Sequence, residues 1–347
     1  MANALYLHAA GDARLGPAPA LSNRPDGVLL EIAAVGLCGS DLHYYKDGGI
    51  GSATITEPFV PGHEFAGRVV DDQPDLDLHA GDLVAVDPNE ACGQCAWCHE
   101  GHPNLCPNVR FIGAPPIHGA MTERLIVPRA QLVKLPAGFG PLEAVMLEPL
   151  GVAIHAVDLA KPRLLERVAL LGCGPIGLLI LEVLKVAGAG EVIAVDPQAH
   201  RREAAARAGA AATGADLGVV AEVTGGEGCQ LVVEATNAPL GFRDAVRAAR
   251  IGGRIVLVGI PDGDTYTLPA AEARRRGLKI KFARRMGEVY PRAIELVREG
   301  RVDVRSMVTE EVGLDEAPEL FRRHAADEPG LIKSLIYPNG MERKGGD

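Results

Sequence analysis

The chain has 347 residues, more than a single hydrophobic core usually spans, so two domains are expected. Hydrophobic residues at 47% and charged residues at 23% describe an ordinary globular composition and exclude a disordered chain. With 35 Lys and Arg against 45 Asp and Glu, the net charge of −10 argues against a nucleic-acid-binding surface.

At the N-terminus no basic residue precedes Arg14, and His8 and Asp12 break the apolar stretch, so no secretory signal is expected. The longest apolar run, Val168 to Leu181, has 14 residues and falls short of the ~20 that span a membrane. These features predict a cytoplasmic protein with no membrane partner. The first 150 residues are rich in Gly and Pro, with β-type runs at Val28–Val35 and Ala66–Val70. Turn signals at Pro25-Asp26-Gly27, Asp47-Gly48-Gly49, Pro61-Gly62 and Ala80-Gly81-Asp82 separate such runs and predict a β-rich domain.

This stretch carries two sets of metal-ligand side chains. Cys38 with His63 and Glu64 offers a thiolate, an imidazole and a carboxylate, a set that binds zinc and leaves one position open. By spacing alone the set is weak, because 24 residues separate Cys38 from His63, and a buried cysteine beside a loop histidine is the plainer alternative. Cys92, Cys95, Cys98 and Cys106 place four thiolates within 15 residues, enough to saturate tetrahedral Zn²⁺ as a structural site. An iron–sulfur cluster is the rival, but the last gap of bacterial ferredoxins is shorter. Crowded cysteines in a chain without a signal read as metal ligands rather than disulfides.

From about Lys161 strands and helices alternate. Val168–Leu171, Val192–Val195, Leu231–Ala235 and Arg254–Val258 read as strands. Ile176–Ala187, Ala199–Ala208, Phe242–Arg250 and Pro291–Glu299 read as helices, and a last strand-like piece ends at Leu331–Tyr337. This rhythm predicts a parallel sheet covered on both faces. Between the first strand and its helix, Gly172-Cys173-Gly174-Pro175-Ile176-Gly177 fits G-x-G-x-x-G. Asp196 ends the next strand, 19 residues past Gly177. The glycines allow a tight turn and close approach of a pyrophosphate to the helix N-terminus, and Asp196 suits ribose hydroxyls. A 2′-phosphate would be repelled there, so NAD is expected over NADP, with Arg201 and Arg202 softening the preference.

Taken together, Gly36-Leu-Cys-Gly-Ser-Asp-Leu-His43, Pro61-Gly-His-Glu64, the four-cysteine lobe, Leu147-Glu-Pro-Leu-Gly-Val-Ala-Ile-His155 and Gly172–Gly177 carry a resemblance over nearly the whole chain. The sequence resembles the zinc-dependent medium-chain dehydrogenases, and among them the sorbitol (polyol) dehydrogenase branch. The resemblance implies an α/β fold: a β-rich GroES-like catalytic domain over 1–150 and 286–347, and a Rossmann doubly wound parallel-sheet coenzyme domain over 151–285. It implies two zincs per subunit, with Cys38, His63 and Glu64 holding the catalytic one. Glu148 would hold the zinc-bound water or substrate, or exchange onto the metal. Ser40 and His43 would form a proton relay, and Tyr44, Phe111 and Arg285 would join Glu148 at the substrate. Gly259 would join Gly172, Gly174, Ile176, Gly177, Asp196 and Arg201 at the coenzyme, and the family is usually dimeric or tetrameric.

Two stretches depart from the branch. Polyol enzymes often carry Arg-Tyr-Cys-Asn-Thr where this chain has Arg285-Met286-Gly287-Glu288-Val289. Their Pro-Pro-Asp-Asp-Gly loop is here Pro115-Pro116-Ile117-His118-Gly119. The expected reaction is oxidation of a secondary alcohol of a sorbitol- or xylitol-like polyol to the ketose. L-Threonine 3-dehydrogenase and L-idonate 5-dehydrogenase activities are alternatives on the same scaffold, and a zinc-ribbon nucleic-acid protein is a remote one.

Overall fold

The structure is a computed structural model and describes residues 2–263 and 265–341. By contacts the chain divides into two compact units, Met1–Glu148 with Val308–Asp347, and Pro149–Met307. The return to the first unit thus comes at Val308 rather than at the expected 286, and residues 342–347 of that expected segment lie outside the described residues. The segment after 286 stays with the second unit for packing reasons. Met286 and Val289 press so closely on Gly151 that a methyl group there would lie 2.4 Å from Met286 Sδ. Arg292, on the helix Tyr290–Arg298, makes a two-pronged ion pair with Asp158 at 2.9 and 2.6 Å.

In the first unit a seven-stranded sheet runs Leu132–Lys134, Leu83–Val86, Glu64–Val69, Gly27–Gly36, Lys333–Tyr337, Val308–Gly313, with Arg124–Pro128 also pairing with Gly27–Gly36. Only the Lys333–Tyr337 and Val308–Gly313 pair is parallel. Along Gly27–Gly36 the residues Val28, Leu30, Ile32 and Ala34 are buried while Glu31 faces out, the period of two that a half-covered strand requires. Those side chains join Leu5, Leu7, Phe59, Phe65, Met121 and Phe321 in the core. Gly36 pairs with Glu64 on one side and Leu335 on the other.

The second unit holds a six-stranded, wholly parallel sheet in the order Ala212–Gly214, Val192–Val195, Val168–Leu171, Cys229–Glu234, Ala249–Leu257, Lys279–Phe282. Chain order reverses between Val168–Leu171 and Cys229–Glu234, the doubly wound arrangement expected, with its ligand crevice at the carboxyl ends of those strands. Val168–Leu171 and Val192–Val195 are buried at every residue, which is why they read as unbroken apolar runs. The short strands Ala212–Gly214 and Lys279–Phe282 and the helix Gly218–Thr224 lack any such run, and the sequence pattern does not show them. Among the described residues no helix is long and apolar enough to cross a membrane.

Candidate active site

Cys38 is the N-cap of the helix Gly39–Asp47. Asp41, on the first turn of that helix and fully buried, folds back on it: its Oδ2 accepts from Cys38 N–H at 3.1 Å. Its Oδ1 accepts from Gly62 N–H at 3.2 Å and lies 3.7 Å from His63 Nδ1. One carboxylate therefore fastens the segment of Cys38 to that of His63, and so closes the long sequence gap between them. The ligand atoms of Cys38, His63 and Glu64 all come within 4.8 Å of one another. One sulfur, one nitrogen and one oxygen at that separation suit a zinc ion with a fourth position left for substrate. Burial disfavours charge on His63, but the neighbouring Cys38 and Asp41 outweigh it and hold its pKa well above the ordinary value, so the cluster draws positive charge.

Sequence reasoning missed Lys333. It is fully buried, its ammonium pairs with the Glu64 carboxylate, and it donates to Leu37 O at 3.0 Å. Burial alone would lower its pKa, but Glu64 and Cys38 overturn that and raise it. The signal lay in Leu331-Ile332-Lys333-Ser334-Leu335-Ile336, where a lysine inside an apolar strand demands a buried anion.

Glu148 is buried, and burial pushes its pKa up to about 8, with Glu64 and Asp87 adding to the effect while His63 and Lys333 oppose it. A carboxyl held neutral in this way can donate a hydrogen bond. Its folded pKa lies above the ordinary 4.5, so the folded metal-free protein keeps a proton that the unfolded chain loses. Stability therefore falls as pH rises from about 4.5 towards about 8. Metal-free Glu148→Gln is expected to gain on the order of a few kcal/mol over the parent at pH 8 and almost nothing near pH 4. Denaturant midpoints at the two pH values check this, and an equal gain at both contradicts it.

Ser40 and His43 lie one turn apart on the same helix, and His43 Nδ1 meets Asp47 Oδ2 at 3.2 Å, a partner the sequence did not suggest. Phe111 stands beside this donor set, its ring 5.4 Å from that of His63. Tyr44 is buried edge-on to Phe59 at 5.4 Å, in the core of the first unit. Arg285 belongs to the second unit, with a left-handed backbone at φ 52° that few non-glycine residues adopt.

The four cysteines of the second set also have all their sulfurs within 4.8 Å of one another. Cys95 Sγ lies 3.4 Å from Cys98 Sγ and 3.9 Å from Cys106 Sγ, far beyond the roughly 2.05 Å of a disulfide. Four thiolates about 2.3 Å from one zinc would stand about 3.8 Å apart, so the cluster fits a closed, structural site. The backbone N–H of Gln94 is the main influence bringing the Cys92 thiol down to about 6, towards the thiolate that a metal needs.

In the second unit the glycine turn has the shape that a dinucleotide requires. Gly172 has φ 92°, and a methyl group on Gly177 would lie 2.0 Å from Gly172 O, so helix and strand meet only through glycine. A methyl on Gly174 would meet nothing within 4 Å, leaving open space at the N-terminus of the helix Pro175–Val186, whose first turn includes Ile176. Gly259 meets the adjoining strand end so closely that a methyl there would lie 1.8 Å from Thr236 O. Asp196 is buried, and its two oxygens accept from Cys173 N–H and Gln198 N–H, each at 2.8 Å. A carboxylate has about four acceptor sites, so two remain for ribose hydroxyls. Arg202 spends its Nη1 on the carbonyls of Asp196 and Pro197 at 2.8 and 2.7 Å. Arg201, by contrast, holds a buried Nε with no hydrogen-bond partner.

Comparison with known proteins agrees with both halves. The alcohol dehydrogenase GroES-like domain family matches residues 24–137, and the zinc-binding dehydrogenase family matches residues 175–299. The chain is 32% identical over 342 residues to the sorbitol dehydrogenase of Bacillus subtilis, covering 97% of each. It is 33% identical over 331 residues to the D-xylulose reductase A of Aspergillus oryzae, covering 92% of this chain and 91% of the other. Among solved structures, L-idonate 5-dehydrogenase from Escherichia coli superposes with a TM-score of 0.88 at 26% identity, covering 97% of this chain and 98% of that one.

Proposed function

The chain belongs to the zinc-dependent medium-chain dehydrogenases, in the sorbitol (polyol) branch, and on that premise we propose that it oxidises one secondary hydroxyl of a sorbitol- or xylitol-like polyol to the ketose, with NAD as hydride acceptor. The observation that carries this is the donor set of Cys38, His63 and Glu64, gathered within 4.8 Å beside the buried Glu148. Bound by these residues, zinc supplies a Lewis acid for the charge that develops on the alcohol oxygen. The charges of Cys38 and Glu64 offset those of the ion, which suits a neutral polyol. Ser40 takes the hydroxyl proton, and His43, held through Nδ1 by Asp47, receives it and delivers it towards solvent. Glu148, buried beside the donor set, offers its carboxyl to a hydroxyl of the substrate, and Phe111 shields the imidazole face of His63 from water.

Asp196 supports NAD. Its two remaining acceptor sites match the two adenosine ribose hydroxyls, and its charge opposes a 2′-phosphate. With Arg202 committed to backbone carbonyls, Arg201 alone is left to soften that opposition. The proposal extends to a cytoplasmic homo-oligomer, a dimer or tetramer, as is usual in the family.

The test follows NADH formation over sorbitol, xylitol, other polyols, L-idonate, L-threonine and simple alcohols, with NAD and NADP, before and after a zinc chelator. Chelator-sensitive NAD reduction with polyols is the expected result. Turnover confined to L-idonate or L-threonine would move the substrate assignment and keep the chemistry. No turnover on any alcohol by protein holding two zincs would overturn the proposal.

A further inference from the structure

We propose that His118 is a positioning residue for the metal site, its Nδ1 lone pair holding the backbone segment that ends in His63 and Glu64. The inference rests on the assignment of a catalytic zinc to Cys38, His63 and Glu64. Val60 is buried, and its N–H donates to His118 Nδ1 at 3.1 Å. From that point the two segments run together. Gly119 N–H donates to Val60 O at 2.6 Å, Met121 N–H to Pro61 O at 3.0 Å, and Ala120 N–H to Gly62 O at 2.9 Å.

Gly113 and Gly119 make the approach possible, since a methyl group on either would lie 2.6 or 2.3 Å from Gly62 O. On its other side Phe59 is pinned to the strand Asn3–Ala9, exchanging hydrogen bonds with Leu7 at 2.9 and 3.2 Å. The Val60 amide thus sits between those two sets of bonds and depends on a side chain for its acceptor, as the Gly62 amide depends on Asp41. Without the imidazole a buried donor loses its acceptor three residues from a metal ligand. The Tyr6 ring meets the imidazole edge-on, 6.2 Å between centroids and 85° between planes, and limits how it can turn. Burial lowers the His118 pKa, which keeps the ring neutral and the lone pair available at neutral pH.

The bond needs an acceptor at a fixed reach from the backbone of residue 118. An asparagine can set its Oδ1 where Nδ1 now stands, a glutamine would carry its oxygen further out, and an alanine has no acceptor. The experiment measures zinc release from the purified, zinc-loaded protein into a colorimetric chelator for H118N, H118Q and H118A. H118A and H118Q are expected to release one of the two zincs at least about tenfold faster than the parent, and H118N within about threefold of it. Release from the four-cysteine site should stay unchanged in all three, which separates positioning from general loosening. Parent-like release from H118A, or H118N as fast as H118Q, overturns the inference. Should H118A not fold, the comparison of H118N with H118Q still decides. A parent protein that carries only the four-cysteine zinc has no catalytic metal for His118 to position, and both assignments then fall together.

Discussion

Cys38→Ser protein is expected to bind NAD as the parent does and to turn over its alcohol at least about a thousandfold more slowly. The size follows from what a Lewis acid contributes to charge stabilisation, several kcal/mol, at about 1.4 kcal/mol per decade of rate. The separation of the two effects follows from the layout of the chain. Cys38 belongs to the first unit, whereas the glycine turn and Asp196 belong to the second. His63→Ala should behave alike, because each change removes one of three donors. Fluorescence titration with NADH and steady-state rates on the same preparation give both readings. Turnover within tenfold of the parent in either variant would refute the assignment of Cys38, His63 and Glu64 as the catalytic ligands.

Lys333→Met should cost the metal-free protein roughly 3–5 kcal/mol of stability, the usual consequence of leaving one member of a buried ion pair alone. Glu64 would then face Glu148 inside the first unit with its cation gone. Zinc offers that carboxylate a replacement cation, so most of the loss should be recovered in the zinc-loaded protein. Denaturant unfolding with and without zinc distinguishes this from simple packing. An equal loss in both forms would mean that the lysine matters for its methylenes and not for its charge.

The central strands of the second unit were legible because a parallel sheet buried on both faces must be written as unbroken apolar runs, as in Val168–Leu171. The four-cysteine lobe was legible for a different reason: all its ligands lie within 15 residues, so local spacing alone brings them together. The cluster of Cys38, His63 and Glu64 was not legible from spacing. Its closure depends on Asp41, whose two oxygens reach the backbones of residue 38 and residue 62, and on Lys333, 269 positions away from Glu64. Such long-range ion pairs leave only an indirect trace, a polar residue in an apolar strand. The return to the first unit at Val308 was not legible, because packing of Met286 and Val289 on Gly151 decides it and no local string near 286 spells that contact out.

Lys333–Tyr337 lies between Gly27–Gly36 and Val308–Gly313 in the sheet of the first unit, and its first residue completes the charge balance at Glu64. On the ribosome this strand emerges last among those of either sheet. At about 5–20 residues per second, the whole of Pro149–Met307 is made and free to fold some seconds before the interior strand of the other unit exists. Through that interval Val35 and Gly36 of a nascent chain lack their partners Ile336 and Leu335, and Glu64 has no ammonium to face. The window in which this protein is open to aggregation, or to a wrong metal at Cys38 and His63, is therefore set by the time needed to translate as far as Tyr337.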